Sequence, residues 1–583
     1  MTPARRWRVG FVAALVVIGL AGGIAYWLNR PAAAGPGVRT VAVVAASSRI
    51  LGDSLQLDLG KTWFAALAIA GTAETRGTSL DVRMGERLGA DGLLDPAPYG
   101  SVRFQETSVT LGEGLTLVPL RDLDARGMPD GIAVMPVRYI EIKGWPHGLD
   151  PTAVKTTAYI SQNYVPVGSL HFTGADARSA DLNRLFELGR HTMVATSFMD
   201  LFVDGDRERL AYQADALINQ RGWYALTGDT KVARRTLEEL FREPTWPSEW
   251  MSQTVLLAWE IYQADGDIDH LREIYDRLVT FTLADFIDET GLINTYDKGK
   301  AEKFVSATNA DYLEDIVDWP PVERDGYEMV AHNTVVNAFA HAAFVGMGRI
   351  ADVLNKKSDA ERYRGQAESL RTAMLTQLTD PSTGLYVDGK GSTHTAAHAL
   401  FVPLALGLVP EERVDATLEA LRNRIAAYDG GMPASVYGAQ FLLDGLFDAG
   451  AGDVALALML NRTDRGWMHM LDTYDATITH EAWDIKYKDN LDWNHAWGSA
   501  FFNVMFRKMV GLEILEPGWA QWTVSPAVRL DLPMLATLAS PNGPVKVSID
   551  PSQRLVMIAG GSSLVDFVAP EDSTWRYKLV TAP

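Results

Sequence analysis

Hydrophobic and polar positions change their period twice along the chain. From Arg39 to about Leu170 apolar residues alternate with polar ones or gather in short β-branched runs, at Val41–Val44, Ser54–Leu59, Val102–Leu111 and Val137–Ile142. Gly and Pro punctuate these runs, which predicts an N-terminal β-sandwich over 38–172. Behind a cap at Ser179, Leu182, Leu185 and Phe186 open a helical period that lasts to about Leu512. It predicts a helical domain over 173–515. From Trp519 the strand pattern returns, at Val545–Ile549, Leu555–Ile558 and Trp575–Val580, and predicts a C-terminal β-sandwich over 516–583.

Three junctions in the helical stretch repeat one signal: Thr227-Gly228-Asp229, Asp265-Gly266-Asp267 and Ala451-Gly452-Asp453. Glycine suits the left-handed position that ends one helix, and aspartate caps the next. Ser358-Asp-Ala-Glu361 reads as a capping box, and Pro410 before Glu411 marks a further start. About a dozen helices joined by short turns predict helix pairs closing into a ring. The connections Tyr296–Arg324 and Met468–Asn494 are longer than such turns need and are candidate site loops.

Val9–Leu28 is a run of 20 residues without a charge, with Arg5, Arg6 and Arg8 before it and Arg30 after it. That length spans a hydrocarbon core of about 30 Å, and the arginine bias keeps the N-terminus in the cytoplasm. The segment 1–37 therefore reads as a signal anchor and linker, with a cleaved signal peptide as the rival reading. Either way the remainder is expected outside the cytoplasm, in the periplasm or at the cell surface, with the membrane as partner through this helix. The net charge is −20, although the first 37 residues hold four arginines and no acid. Such a balance argues against nucleic acid as a partner. The absence of cysteine excludes disulfides, thiolate zinc sites and a cysteine nucleophile, leaving carboxylates, histidines and hydroxyls.

Two segments carry candidate chemistry. Asp204-Gly-Asp-Arg-Glu208-Arg-Leu-Ala-Tyr212-Gln-Ala-Asp215 would place Glu208, Tyr212 and Asp215 on one face if a helix begins near Arg207. His480-Glu481-Ala-Trp483-Asp484 resembles a HExxH zinc motif but has Asp484 where the second histidine belongs, so no metal is expected. His394 and His398 could share a helix face, again without a third ligand nearby. Around Glu481 stand Trp467, Trp483, Trp493 and Trp497. Flat rings beside hydrogen-bonding groups suit the mixed surface of a sugar. Two carboxylates from separate segments, one protonating a leaving oxygen and one activating water, are the minimum for glycoside hydrolysis, and Glu208 and Glu481 are the candidate pair.

Several segments, in order, resemble the α-L-rhamnosidases of glycoside hydrolase family 78: Met135–Gly144, Asp204–Asp215, Val317-Asp318-Trp319, Thr383-Gly384-Leu385-Tyr386, Thr479–Trp483, Asn494–Gly498 and Gly511–Gly518. The likeness covers about residues 130 to 583. It implies a multidomain α+β protein with an (α/α)6 barrel between β-domains, and an inverting mechanism. By position it implies Glu208 as general acid, Glu481 as general base, and Asp204 and Asp215 as acids holding sugar hydroxyls. Tyr212 stands where the family tends to have a stacking tryptophan, and Asp318, Trp319 and His495 match further substrate contacts. Arg207, Trp467 and Trp483 complete the candidate substrate-binding set. The acid motif departs from the family pattern: it lacks Cys-Pro, is shorter between Asp204 and Glu208, and has Ala214 in place of glycine.

The resemblance implies release of α-L-rhamnose or a related sugar from a glycan, with no cofactor. The alternatives are the same architecture acting on another sugar, a silent glycan-binding envelope protein, and a polysaccharide lyase using His495 or Tyr487.

Overall fold

A computed structural model describes residues 37–121, 125–128, 132–527, 530–560, 562–570 and 573–581. The apolar run Val9–Leu28 lies outside the described residues, among which no helix is long and apolar enough to cross a membrane.

The alternating N-terminal runs form eight strands in one hydrogen-bonded sheet. The strand Ser54–Gly71 is its spine: its first half pairs with Ser47–Leu51 and Met135–Lys143, and its second half with Val154–Ser161 and Gly114–Leu117. A register shift between Asp58 and Trp63 bends it, so that the sheet turns on itself around Leu57, Leu67, Val82, Val137 and Ile140. Among the described residues all eight strands are connected by hydrogen bonds. The C-terminal sheet has five strands and borrows one from before the helices, because Ser169–Phe172 pairs with Met534–Leu538. The helical body is therefore stitched to the C-terminal sheet at both of its ends.

Between them lie fourteen α-helices among the described residues. Six of them touch in a closed cycle: Gln213–Thr227, Ser248–Asp265, Thr334–Val353, Ala397–Ala405, Gly438–Asp448 and Ala500–Val504, which returns to the first. Each also packs on a partner outside the cycle: Lys231–Arg242, Ile268–Thr280, Lys357–Gln377, Glu411–Ala427, Gly452–Met459 and Ala177–Ala195, in the same order. The cycle helices are largely buried; Thr334–Val353 buries fifteen of its twenty residues.

The turn signals hold at two junctions. Gly228 and Gly266 take left-handed conformations (φ 67° and 71°), and Asp267 accepts hydrogen bonds from the amides of Asp269 and His270. At the third, Gly450 (φ 74°) makes the turn and Gly452 opens the next helix. The first helix is capped by Asp176, which accepts from the Ser179 amide, not by Ser179. Both long connections contain helices, Lys298–Thr308 and Trp467–Tyr474, and the irregular chain is confined to 309–333 and 475–496.

The N-terminal sheet leans on the second of these loops. Arg138 donates to the backbone carbonyl and the carboxylate of Asp475 (2.8 and 2.7 Å), the Thr62 amide to Thr477 Oγ1 (2.9 Å), and the Ser101 amide to the Leu491 carbonyl (2.9 Å).

Candidate active site

The segment from Asp204 to Tyr212 is a pinched loop, not a helix start. The Asp204 amide donates to the Leu210 carbonyl and the Leu210 amide to Asp204 Oδ1, at 2.9 and 2.8 Å. Arg209 has φ 57°, which no right-handed helix accommodates. The helix consequently begins at Gln213, with Tyr212 still extended in front of it. This corrects the expectation of one helical face, yet the residues still meet: the Tyr212 hydroxyl donates to Glu208 Oε2 at 2.6 Å. Gly205 has φ 147°, and a Cβ there would come within 3.2 Å of Asp492 and Asn494. The close approach lets the Asp206 amide donate to Asn494 Oδ1 at 2.8 Å.

Asp206 is fully buried and anchors the loop. Arg209 Nε donates to it at 3.0 Å, and Arg103 of the N-terminal sheet pairs with its carboxylate and donates to its carbonyl at 3.2 Å. Arg209 continues to the Val134 carbonyl at 2.6 Å, and Arg126 donates to the Arg207 carbonyl. Burial works against the Asp206 charge, but Arg209 and Arg103 outweigh it and hold the carboxyl below its usual range.

Facing this loop, Thr479–Glu481 runs beside Asp492–His495, with the Glu481 amide donating to the Asp492 carbonyl and the His495 amide to the Thr479 carbonyl (3.0 and 2.8 Å). Glu481 accepts two hydrogen bonds from Arg207, Nη1 to Oε2 at 2.7 Å and Nη2 to Oε1 at 2.9 Å. Arg207 Nη2 also stands 3.1 Å from Glu208 Oε1. Lys488 Nζ lies 3.3 Å from Glu481 Oε1, and the Asp492 amide donates to Oε2 at 3.1 Å. His495 sits between Asp215 (Nδ1 to Oδ1, 3.4 Å) and Glu481 (Nε2 to Oε1, 4.0 Å). Asp215 Oδ1, Asp492 Oδ1 and His495 Nδ1 are buried without a hydrogen-bond partner. Unmet polar atoms in such number around two acids are what a polyhydroxylated ligand would satisfy.

The electrostatics separate the acids. Burial and the Glu208 charge push Asp204 well up. Burial and the charge of Glu481 do the same to Asp215. Glu208 is pulled the other way: burial would raise it, but the Arg207 charge and the hydrogen bonds from Tyr212 and Asp204 hold it below its usual range. Of these two neighbouring carboxyls, Asp204 takes up a proton more readily than Glu208. A general acid needs that proton on Glu208, so the resting arrangement differs from the elevated carboxyl such a role requires. Burial, with Arg207 next, keeps His495 neutral.

Asp318 is buried, and its carboxylate is engaged by His398 Nε2 at 2.6 Å, the Ser435 amide at 2.9 Å and the Trp319 amide at 2.8 Å. Trp319 is half-buried, edge-on to Trp246 at 6.2 Å. Trp467 and Trp483 are corrected from ligand-stacking to core residues. Both are 0% exposed, pack edge-to-face at 5.1 Å, and donate their indole N–H to the carbonyls of Gly498 and Ala434, each at 2.7 Å. His394 and His398 share no face, since His394 precedes the helix and bonds Asp388 at 2.6 Å. Sequence reasoning missed Lys488, Asp492, Asp206, Arg103 and Trp250, the last edge-on to Tyr212 at 5.9 Å. Only Asp492, beside the tryptophans, carried a local signal.

Six helices in a cycle, each with a partner outside it, define a fold of helical hairpins. The chain belongs to the family of the bacterial alpha-L-rhamnosidase six-hairpin glycosidase domain, whose profile matches residues 175–509, more than half of its length. An alpha-L-rhamnosidase of Formosa agariphila is 23% identical over 347 residues, covering 57% of this chain and 34% of its own. One of Streptomyces avermitilis is 27% identical over 330 residues, covering 55% and 28%. The solved Streptomyces avermitilis alpha-L-rhamnosidase complexed with L-rhamnose has a TM-score of 0.69 at 20% identity, over 88% of this chain and 48% of that one. That likeness shows the fold. The chain spans about a third of the length of the curated relatives it matches.

Proposed function

We propose that the protein is an inverting glycoside hydrolase that releases α-L-rhamnose from a glycan or glycoconjugate, on an (α/α)6 barrel. The observation that carries this reading is the pairing of Glu208 and Glu481 on one guanidinium inside a ring of unmet polar atoms. Glu208 delivers a proton to the glycosidic oxygen as the C–O bond breaks. Glu481 takes a proton from the water that attacks the anomeric carbon from the other side, so product and leaving group each end neutral. Asp204, Asp215 and His495 offer hydrogen bonds to the sugar hydroxyls.

With both oxygens against Arg207 Nη2, the nearest carboxylate oxygens lie within about 6 Å of each other. Withdrawal of the guanidinium from Glu208 as sugar and water enter removes the charge that most lowers that carboxyl and favours its protonation. The family membership supports the choice of sugar, and the six-membered helix cycle supports the barrel.

The arginine-flanked run Val9–Leu28 supports a setting outside the cytoplasm, anchored or secreted, which fractionation of cells expressing the full chain tests. Hydrolysis of an aryl α-L-rhamnoside, lost in Glu208→Gln and in Glu481→Gln, tests the activity. An aryl rhamnoside left intact while another aryl glycoside is cleaved would transfer the reading to that sugar.

A further inference from the structure

Between the N-terminal sheet and the segment 473–493 lies a cavity of about 430 Å³. This is room for a sugar ring and a few waters. Glu208, Tyr212, Asp215, Glu481 and His495 do not line it, whereas His480 and Trp493 do.

The walls carry buried polar atoms with nothing to bond. Both ring nitrogens of His480 are buried without a partner in a side chain that is 0% exposed, while Trp493, 8% exposed, has the Tyr99 hydroxyl beside its indole N–H. Their rings lie parallel with centroids 5.0 Å apart, and Tyr474 flanks both at 5.5 Å. Burial holds His480 down to about 3, so the ring is neutral and offers one donor and one acceptor. A hydroxyl group needs that same combination.

Charge on the walls is already matched. Arg138 pairs with Asp58 and Asp475, and Arg87 with Asp95. Glu86 is pushed up to about 8 by burial, and it accepts from the Arg103 amide at 2.8 Å and from Asn494 Nδ2 at 3.2 Å. An anionic or cationic guest would find no free counter-charge among these groups, while a neutral hydroxylated ring meets flat aromatic faces and unmet donors.

We propose that this cavity is a second binding site for a neutral sugar ring, in which His480 supplies the hydrogen bonds that the guest satisfies and Trp493 an aromatic wall. The ring comes either from a distal residue of the glycan whose terminal sugar enters the acidic cleft, or from free monosaccharide. The inference rests on the glycan reading for its class of ligand but not for the sugar cleaved.

The test is calorimetric titration of the full chain carrying Glu208→Gln, which silences turnover, with methyl α-L-rhamnoside, methyl α-D-mannoside and methyl β-D-glucoside. Ala90, exposed at the cavity rim, is then replaced by Trp to fill the space, and His480 by Ala. At least one glycoside is expected to occupy two sites, one of which weakens about tenfold or more in both variants. Ala90→Trp in the otherwise unaltered enzyme should leave aryl rhamnoside hydrolysis within about twofold. If His480→Ala fails to fold, Ala90→Trp alone decides. A single site with all three glycosides, or a second site indifferent to Ala90→Trp, overturns the proposal and leaves the cavity to water. Two sites in a protein that cleaves no rhamnoside would overturn the activity reading and not this one. A disaccharide that binds more tightly than its monosaccharides in the unaltered cavity, but not in Ala90→Trp, identifies the distal residue as the source; equal binding identifies the free sugar.

Discussion

Arg207 grips Glu481 with two hydrogen bonds of 2.7 and 2.9 Å, and the nitrogen that makes the longer one stands 3.1 Å from Glu208. Two acids 273 positions apart in the chain are thereby held at one point by the residue that immediately precedes one of them. Arg207→Lys keeps the charge but cannot make a planar two-pronged contact. Turnover should fall about 10²-fold with little change in the pH profile. Arg207→Gln should move the alkaline limb of kcat/KM to higher pH as well, because it removes the charge that most lowers Glu208. Steady-state kinetics across pH check both.

Tyr212 also holds the Glu208 proton affinity down, through its 2.6 Å hydrogen bond. An acid catalyst must be protonated, so activity is lost as pH rises through its pKa. Tyr212→Phe removes a bond that favours the carboxylate, raises that pKa, and should shift the alkaline limb upward by about one pH unit. Tyr212→Trp should shift it in the same direction. An unmoved limb would separate Tyr212 from the acid.

Arg103 holds the acid loop through Asp206. Removing one partner of a buried charge pair costs about 3–5 kcal/mol. Arg103→Ala should lower the melting temperature and cut kcat about tenfold or more, while Arg103→Lys recovers part of both. Thermal melts and kinetics on the same preparations measure this.

Glu86 gives stability a sign with pH. Its carboxyl rises from 4.5 to about 8 on folding, so the protonated form suits the fold. Its contribution is fully present below about pH 4.5 and is lost as pH rises to about 8. Glu86→Gln, which stays neutral, should therefore gain on the unaltered protein by a few kcal/mol between those limits and show no further gain above them. Denaturant melts at several pH values read the difference.

The three-part organisation was legible because strand and helix periods differ and burial enforces each. The same rule misled at Asp204–Asp215, where spacing suggested one helical face. The Arg209 turn and the Asp204–Leu210 pinch break the helix, and they depend on Arg103, Arg126 and Val134 from another domain. Trp467 and Trp483 misled for a related reason: density in sequence says nothing about which side of a loop a ring faces, and both face the core. Glu208 and Glu481 stood out as acids among aromatic and charged neighbours. Lys488, Asp206 and Arg103 act through contacts that only the folded chain creates, and no local pattern marks them.

Glu208 and Glu481 are proposed to act as acid and base on opposite sides of a glycosidic bond. Proton NMR of an aryl α-L-rhamnoside, recorded within the first turnovers and before mutarotation, tests it most directly. The account predicts β-L-rhamnose as first product, with the signal abolished in Glu208→Gln and in Glu481→Gln. First appearance of the α-anomer, or full activity in either variant, would contradict it.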